Sequence, residues 1–241
     1  MKKVILSAVA LACAAGVASA DVYGDAPFDI FDAGFTHLDI QSVTITNDAS
    51  WLYISVANAG DLDATSWGKY AIGIDNGKAT GMNSNGWGRN IDWGRGITHW
   101  SATWADDGGT GVGGEIYSGN ATAANNSSGG MGAWILRDAT YAAGTEIAGS
   151  DANHAFGVQT WQISLARLNL QAGDTMEFDV VTTGGGGGDP GVDHLSVAGL
   201  ATPGWGDASI AGAFKSYTVV PSPASAALLG LGGLVGLRRR R

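Results

Sequence analysis

Cysteine is almost absent from this 241-residue chain, and Cys13 is the only one. A domain that excludes this residue cannot form a disulfide, so its hydrophobic core has to stabilise it. The 4 histidines are scattered, without the His-x-x-x-His or Cys/His spacing of zinc or haem sites. The composition therefore argues against a disulfide framework and against a metal centre built on histidine or cysteine.

Basic residues are also scarce, and six of the 13 lie near the two ends of the chain. Residues 21–220 keep 7 basic residues against all 22 acidic ones, which is a net charge of −15. A surface this acidic repels nucleic acid and anionic lipid. It does not exclude neutral polysaccharide as a partner.

Glutamate is rare as well, with 3 residues against 19 aspartates. Aspartate favours turns and caps whereas glutamate favours helices, so the acidic residues indicate a turn-rich fold. Neither a Gly-x-Ser-x-Gly elbow nor a P-loop occurs in the sequence. Glu177 and Asp179 would share one face of a strand, which leaves a glycan-processing hydrolase open as an alternative to a non-catalytic protein.

Residues 1–20 have the organisation of a secretory signal peptide. A basic start, an apolar run over residues 4–17 and the small-x-small motif Ala18-Ser19-Ala20 follow in that order. The mature chain is therefore expected to begin at Asp21. A lipoprotein signal centred on Cys13 is the alternative, but the nearby leucine lies one position away from where a lipobox requires it.

Residues 221–241 form a second terminal signal. A Pro-x-Pro motif precedes a 14-residue apolar run over residues 224–237, and four arginines follow. The run is shorter than the roughly 20 residues of a stable membrane span, and arginine is costly to move through hydrocarbon. Such a segment is typical of a protein anchored briefly in the inner membrane and then processed. The proposed signal residues are Pro221, Ser222, Pro223, Arg238, Arg239, Arg240 and Arg241.

This order of motif, apolar run and arginine cluster resembles the PEP-CTERM sorting signal of Gram-negative bacteria. The resemblance implies recognition by an exosortase, a membrane protease-transpeptidase, and delivery to the cell surface or extracellular matrix. The glutamate of the family motif is missing, because Ser222 stands between the two prolines. An ordinary tail anchor is the alternative.

Residues 21–220 have the pattern of an all-β domain. Residues 38–46 alternate apolar and polar side chains, residues 47–50 supply a turn, and residues 51–56 return as a second strand. About nine strands of this kind predict an antiparallel β-sandwich of jelly-roll type, flanked by the signal peptide and a short hydrophobic sorting helix. The other strands are predicted at residues 70–74, 98–104, 114–117, 133–136, 155–163, 175–182 and 214–219, and mobile loops at residues 119–130 and 184–188.

Three short patterns lie within this domain: the hairpin over residues 43–56, a strand over residues 69–76 ending in Asp-Asn, and residues 161–170 followed by the strand 176–180. Together they resemble the family 9 carbohydrate-binding modules and the related DOMON-like sandwiches. The resemblance implies a sandwich that binds sugars or haem and that, in some members, holds calcium.

Tryptophan is abundant, with nine residues in the chain. The apolar faces of sugar rings pack on flat aromatic surfaces, and neighbouring polar side chains bind the hydroxyls. Trp87 and Trp93 lie in glycine-flanked polar sequence with Arg89, Asp92 and Arg95, so these five are the candidate ligand-binding residues. The alternative for each tryptophan is a place in the sandwich core.

Asp106 and Asp107 are the candidate calcium ligands, because two adjacent carboxylates beside glycine offer the oxygen atoms that this ion prefers. No EF-hand spacing is present. Solvated turn aspartates are the alternative, so calcium is left open as a cofactor.

The sequence as a whole predicts an exported, exosortase-sorted protein of the cell surface or extracellular matrix. We expect it to have no enzymatic activity and to bind polysaccharide, but not nucleic acid. The alternative is a structural matrix or biofilm protein without a small ligand. Exposed tryptophans would favour sugar binding, and tryptophans that are all buried would favour the structural role.

Overall fold

The computed structural model describes residues 20–105, 113–124, 131–140, 146–150 and 153–221. Residues 1–19, Asp106, Asp107 and the predicted sorting signal beyond Pro221 lie outside this set. Within it the chain is all-β, with strands and three short 3-10 helices, which confirms the all-β part of the predicted fold class. No helix in this part of the chain has both the length and the apolar character needed to cross a membrane.

Most of the strands are short. In chain order they are β1 (Asp21–Gly24), β2 (Ile40–Asn47), β3 (Trp51–Asn58), β4 (Lys69–Asp75), β5 (Ile91–Asp92), β6 (His99–Trp104), β7 (Gly113–Ala124), β8 (Met131–Thr140), β9 (Ile147–Ser150), β10 (Val158–Ser164), β11 (Thr175–Thr183), β12 (Gly191–His194), β13 (Ser209–Ile210) and β14 (Lys215–Thr218). The 3-10 helices are η1 (Thr36–Leu38), η2 (Leu62–Ala64) and η3 (His154–Phe156).

Two antiparallel sheets contain nearly all of these strands. The five-stranded sheet has the order β1-β2-β3-β10-β9, and the seven-stranded sheet has the order β12-β11-β4-β6-β7-β8. Strand β14 pairs with the first half of β11, and β12 pairs with its second half. A separate parallel pair joins β5 to β13. The long connections between neighbouring strands bring distant parts of the chain side by side.

The hairpin of β2 and β3 forms as its sequence pattern predicts. Leu52, Ile54 and Val56 alternate with partly exposed residues along β3 and point into the core. The turn is closed by Asp48, whose Oδ1 accepts hydrogen bonds from the backbone N–H groups of Ser50 and Trp51 at 2.7 and 2.8 Å. An Asx-type turn of this kind fixes the register, because the side chain replaces backbone partners that the turn leaves unpaired.

The main hydrophobic core contains side chains from both sheets. Ile54 and Trp161 come from the five-stranded sheet, and Ile72, Phe178 and Val180 come from the seven-stranded one. All five are buried. Apolar side chains shared between two antiparallel sheets are the arrangement of a β-sandwich.

A second hydrophobic cluster lies on the other face of the seven-stranded sheet. Strand β4 is buried along both faces, so Ala71 contributes to this outer cluster while its neighbour Ile72 points into the main core. The loops around β5 and β13 cover the cluster, and a sheet covered on both faces reads as a continuous apolar run. The buried members are Ala71, Ile91, Trp93, Ile97, Trp100, Ala102 and Val181.

Two local expectations differ from the structure. The predicted loop over residues 119–130 is a strand in its first half, because β7 continues to Ala124 and stays paired with β8. The strand predicted from residue 155 begins at Val158 instead, after η3. Gly157 ends η3 with a φ of 75°, a left-handed conformation that favours glycine, and so separates the helix from the strand.

Candidate functional site

Trp93 lies in the outer cluster and not on the surface. Its side chain is 1 % exposed, and its ring meets that of Trp100 edge-on at 5.8 Å. Gly73 on β4 makes room for it, since a Cβ at that position would lie 3.0 Å from the ring. A buried ring offers no face to a sugar, so we correct the sequence prediction by removing Trp93 from the candidate ligand-binding residues.

Trp87 and Arg89 are the two predicted residues that the structure brings together. The Arg89 guanidinium lies 5.3 Å from the ring centroid of Trp87, a cation–π distance. Asn85 orders this loop, because its Oδ1 accepts hydrogen bonds from the backbone N–H groups of both residues. Both side chains line a shallow surface pocket of about 330 Å³ together with Lys69, Trp104 and Glu115.

Glu115 holds the Trp87 ring in place. Its Oε2 accepts hydrogen bonds from Trp87 Nε1 at 2.5 Å and from the Tyr117 hydroxyl at 2.6 Å. Burial and the neighbouring carboxylate raise the pKa of Tyr117 above its ordinary value. The Trp87 N–H and the Tyr117 hydroxyl therefore donate to the same carboxylate, which orients the Trp87 ring.

Asp92 and Arg95 do not join this pocket. Asp92 Oδ1 accepts hydrogen bonds from Asn83 Nδ2 at 2.8 Å and from the backbone N–H of Gly94 at 2.9 Å, and these bonds lower its pKa. Arg95 forms ion pairs at 2.6 Å with both Asp75 and Glu177. Neither Asp92 nor Arg95 is among the residues that line the Trp87 pocket.

A second aromatic cluster lies nearby and was missed by the sequence analysis. Phe35, Trp67 and Trp205 contact one another, with ring centroids 5.4 to 6.0 Å apart. Together with Asp189 and the adjacent glycines they line a surface cleft of about 590 Å³, which we call the aromatic cleft. Trp205 is 37 % exposed, the largest exposure among the tryptophans that the structure describes. No periodicity links positions 35, 67 and 205, so only the folded chain reveals them as a group.

The glycine run at residues 184–188 forms one wall of the aromatic cleft. The backbone N–H of Gly186 donates to Asp189 Oδ2 at 2.7 Å, which closes the loop tightly. A Cβ at Gly184 would lie 2.3 Å from the same carboxylate, and one at Gly185 would lie 3.2 Å from Trp67 Cβ. Glycine is therefore required here by close packing around the carboxylate.

Arg89 connects the two aromatic sites. Its guanidinium lies over the Trp87 ring, and its backbone N–H donates to Asn85 in the loop of that pocket. Its Nη1 donates a hydrogen bond to the carbonyl oxygen of Gly186 in the wall of the aromatic cleft. Burial lowers the pKa of Arg89, and the charge of Asp189 opposes that effect. One cation thus ties the loop of Trp87 to the loop of Asp189.

Three buried polar side chains form a chain of hydrogen bonds behind these sites. His194 Nδ1 lies 2.7 Å from Asp179 Oδ2, and His194 Nε2 lies 2.9 Å from Ser209 Oγ. This is the order of the groups in a serine hydrolase triad. All three side chains are 0 % exposed, however, and Ser209 Oγ also accepts a hydrogen bond from the backbone N–H of Gly191. In this structure a substrate does not reach the hydroxyl.

Asp106, Asp107 and the sorting residues from Ser222 onward lie outside the described residues, so the predictions made for them remain predictions. Pro221 is the last residue of the described part.

Comparison with protein-family models, with curated proteins and with solved structures gave no match to this chain. The resemblances to PEP-CTERM proteins and to family 9 carbohydrate-binding modules therefore remain expectations from short motifs. The geometry of the two aromatic sites is therefore the basis on which a function is proposed.

Proposed function

We propose that this chain is an exported, non-catalytic protein that binds neutral polysaccharide in the aromatic cleft. The single observation that supports this most is the surface group of Phe35, Trp67 and Trp205 beside Asp189. Aromatic faces provide apolar contact for the C–H side of a sugar ring, and a carboxylate accepts hydrogen bonds from its hydroxyls.

The size of the cleft and the charge of the protein support the same class of ligand. A volume of about 590 Å³ lies within the range of sites for small ligands, which is about 300–1,000 Å³. The net charge of −15 over residues 21–220 disfavours anionic ligands such as nucleic acid. A neutral glycan has no charge that this surface would repel.

The Trp87 pocket supplies a second subsite in this proposal. Arg89 lines it and also bonds to the wall of the aromatic cleft, so two aromatic surfaces lie on either side of one buried cation. A polysaccharide extends over several sugar rings and can contact both surfaces at once, and two linked contacts bind more tightly than either alone.

The terminal signals complete the proposal. An exosortase-type enzyme would process the tail after transient anchoring in the inner membrane and release the protein to the cell surface or extracellular matrix. The predicted jelly-roll connectivity of the sandwich stays a prediction.

The alternative function is a structural matrix protein without a small ligand. The burial of Trp93 favours this alternative, because a buried ring cannot contact a sugar.

Isothermal titration of the full chain against a panel of neutral soluble polysaccharides tests the proposal. We expect saturable heat with at least one glycan and a loss of affinity of about tenfold or more in Trp205→Ala, equivalent to about 1.4 kcal/mol. Trp205→Phe, which keeps an aromatic face, should retain most of the affinity. Trp51→Ala, a tryptophan in the five-stranded sheet, serves as the control.

The alternatives predict other results. Absence of heat with every glycan would favour the structural matrix protein. Binding that survives Trp205→Ala but is lost in Trp87→Ala would move the main site to the Trp87 pocket.

A further inference from the structure

Three carboxylates from distant parts of the chain meet beside the edge strand β12. Asp29 and Asp39 come from the segment between β1 and β2, and Asp193 comes from β12 itself. One oxygen atom of each lies within 4.8 Å of the others. Asp39 and Asp193 are each 1 % exposed, so most of this negative charge is inside the protein.

The hydrogen bonds of these groups leave particular oxygen atoms without a partner. Asp39 Oδ2 accepts from the backbone N–H of Phe28 at 3.0 Å, and Asp29 Oδ2 accepts from that of Gly199 at 3.0 Å. Their other oxygens, Asp39 Oδ1 and Asp29 Oδ1, are buried and have no hydrogen-bond partner among the described residues. A buried acceptor without a partner is costly, so each such atom needs an explanation.

A fourth aspartate also has a buried carboxylate oxygen without a hydrogen-bond partner. Asp25 Oδ2 is buried and also lacks a partner within the described part of the chain, and the charge of Asp29 acts on it. The ion pairs found among the described residues do not include these four aspartates. Lys215 is the cation that offsets part of the charge on Asp25.

We propose that Asp29, Asp39 and Asp193 bind a calcium ion. Calcium binds oxygen at about 2.3–2.6 Å, so ligands on opposite sides of one ion are about 5 Å apart, and the observed limit of 4.8 Å fits within that span. The donors are all carboxylate oxygens, and such hard ligands favour calcium and similar hard cations over the softer transition metals.

The ion has a structural consequence. It ties the segment that contains Asp29 and Asp39 to β12, and Asp193 Oδ2 already accepts a hydrogen bond from the backbone N–H of Ile40 at 2.6 Å. Calcium would neutralise charges that otherwise repel one another across this junction. This inference is independent of the proposed sugar binding and concerns a different set of residues.

Thermal unfolding and direct calcium titration of the full chain at pH 7.5 test the site. The protein is first treated with EDTA, and the chelator is then removed. On titration with calcium chloride, one calcium ion per chain should bind at this site. At about 100 times the dissociation constant it should raise the Tm by about 5–10 °C. Equal melting in EDTA and in calcium, together with no binding heat, would overturn the proposal and leave a cluster of carboxyl groups that hold protons instead.

Variants locate the ion. Asp39→Asn and Asp193→Asn should weaken calcium binding about tenfold or more, because each removes a charged ligand without changing its shape. Asp32→Asn removes an exposed carboxylate from the same segment and should leave the affinity unchanged. If the Asp39 and Asp193 variants do not fold, the titration of the unaltered chain still decides whether calcium binds.

Two further outcomes count against the site. Loss of calcium binding in an Asp106→Asn, Asp107→Asn double variant, with retention in Asp39→Asn, would assign the ion to the pair predicted from sequence. Equal stabilisation by magnesium chloride at the same concentration would overturn the choice of calcium, since magnesium demands shorter bonds and a stricter octahedron.

Discussion

His194 Nδ1 lies 2.7 Å from Asp179 Oδ2, and both side chains are completely buried. Ser196 Oγ donates to the same Asp179 oxygen at 2.8 Å, and Ser209 Oγ lies 2.9 Å from the other imidazole nitrogen. The network links β11, β12 and β13 in the layer behind the aromatic surface. Its members satisfy one another's hydrogen bonds, which is the usual condition for polar groups in a protein interior.

We predict that this network stabilises the fold and does not react. Asp179→Ala should lower the free energy of unfolding by about 3–5 kcal/mol, because it leaves His194 buried without its partner. Ser209→Ala should cost about 1–3 kcal/mol, because it leaves His194 Nε2 and the backbone N–H of Gly191 buried without this partner. Urea denaturation measures both changes. Labelling of Ser209 by a serine-directed fluorophosphonate would contradict the structural role and favour the hydrolase alternative.

Trp93 and Trp205 should contribute unequally to the free energy of unfolding. Trp93→Ala removes a ring that is 1 % exposed and should cost about 3–5 kcal/mol of stability. Trp205→Ala removes a ring that is 37 % exposed and should cost clearly less, since water already covers much of it. Guanidinium denaturation of the two variants gives the comparison. Equal costs would mean that Trp205 belongs to the core and does not present a binding face.

The buried His99 should make stability depend on pH. Its side chain is 7 % exposed, and burial lowers its pKa to about 4. A hydrogen bond with the backbone of Arg167 opposes this shift, whereas the charges of Arg167 and Arg137 add to it. Well above pH 6.5 the imidazole is neutral in both the folded and the unfolded state and does not affect stability. As the pH falls from 6.5 toward 4, the unfolded chain binds a proton that the folded chain does not, so the folded state loses stability.

The comparison with a variant isolates this residue. Between pH 7.5 and pH 4.5 the unaltered chain should lose about 2–3 kcal/mol more than His99→Gln, and denaturant unfolding at the two pH values measures it. Other groups titrate in both proteins, so their contributions cancel in the difference. An equal loss in the two proteins would show that His99 becomes protonated without a penalty.

The predicted signal peptide and sorting signal lead to an expectation about the mature protein. In a Gram-negative host that has an exosortase, the N-terminus should be Asp21 and the arginine cluster should be absent from the released protein. Mass spectrometry of the secreted material checks both ends. Replacing Arg238, Arg239, Arg240 and Arg241 by serine should stop correct sorting. A released protein that retains all four arginines would favour an ordinary tail anchor or no processing.

Much of the fold is predictable because its signals are local. The alternation in β2 and β3, with Asp48 in the turn between them, predicts the hairpin that the structure contains. The excess of aspartate over glutamate predicts a turn-rich chain, and no α-helix occurs in the part of the chain that the structure describes. Strands β1, β9 and β12, of four residues each, were not predicted, because segments this short carry little periodicity; β14 is equally short but lies within the predicted strand 214–219.

The sites depend on contacts across long separations in the chain. Composition and local pattern alone establish an acidic, tryptophan-rich all-β chain with a signal-like segment at each end. Trp93 and Trp205 both stand beside glycine in the sequence, yet the sheet buries one ring and leaves the other at the surface. Asp39 and Asp193 come together because β12 is an edge strand of the sheet that the segment before β2 packs against. Only tertiary packing decides which rings are buried and which carboxylates become neighbours, because both depend on contacts between residues that are far apart in the sequence and share no local pattern.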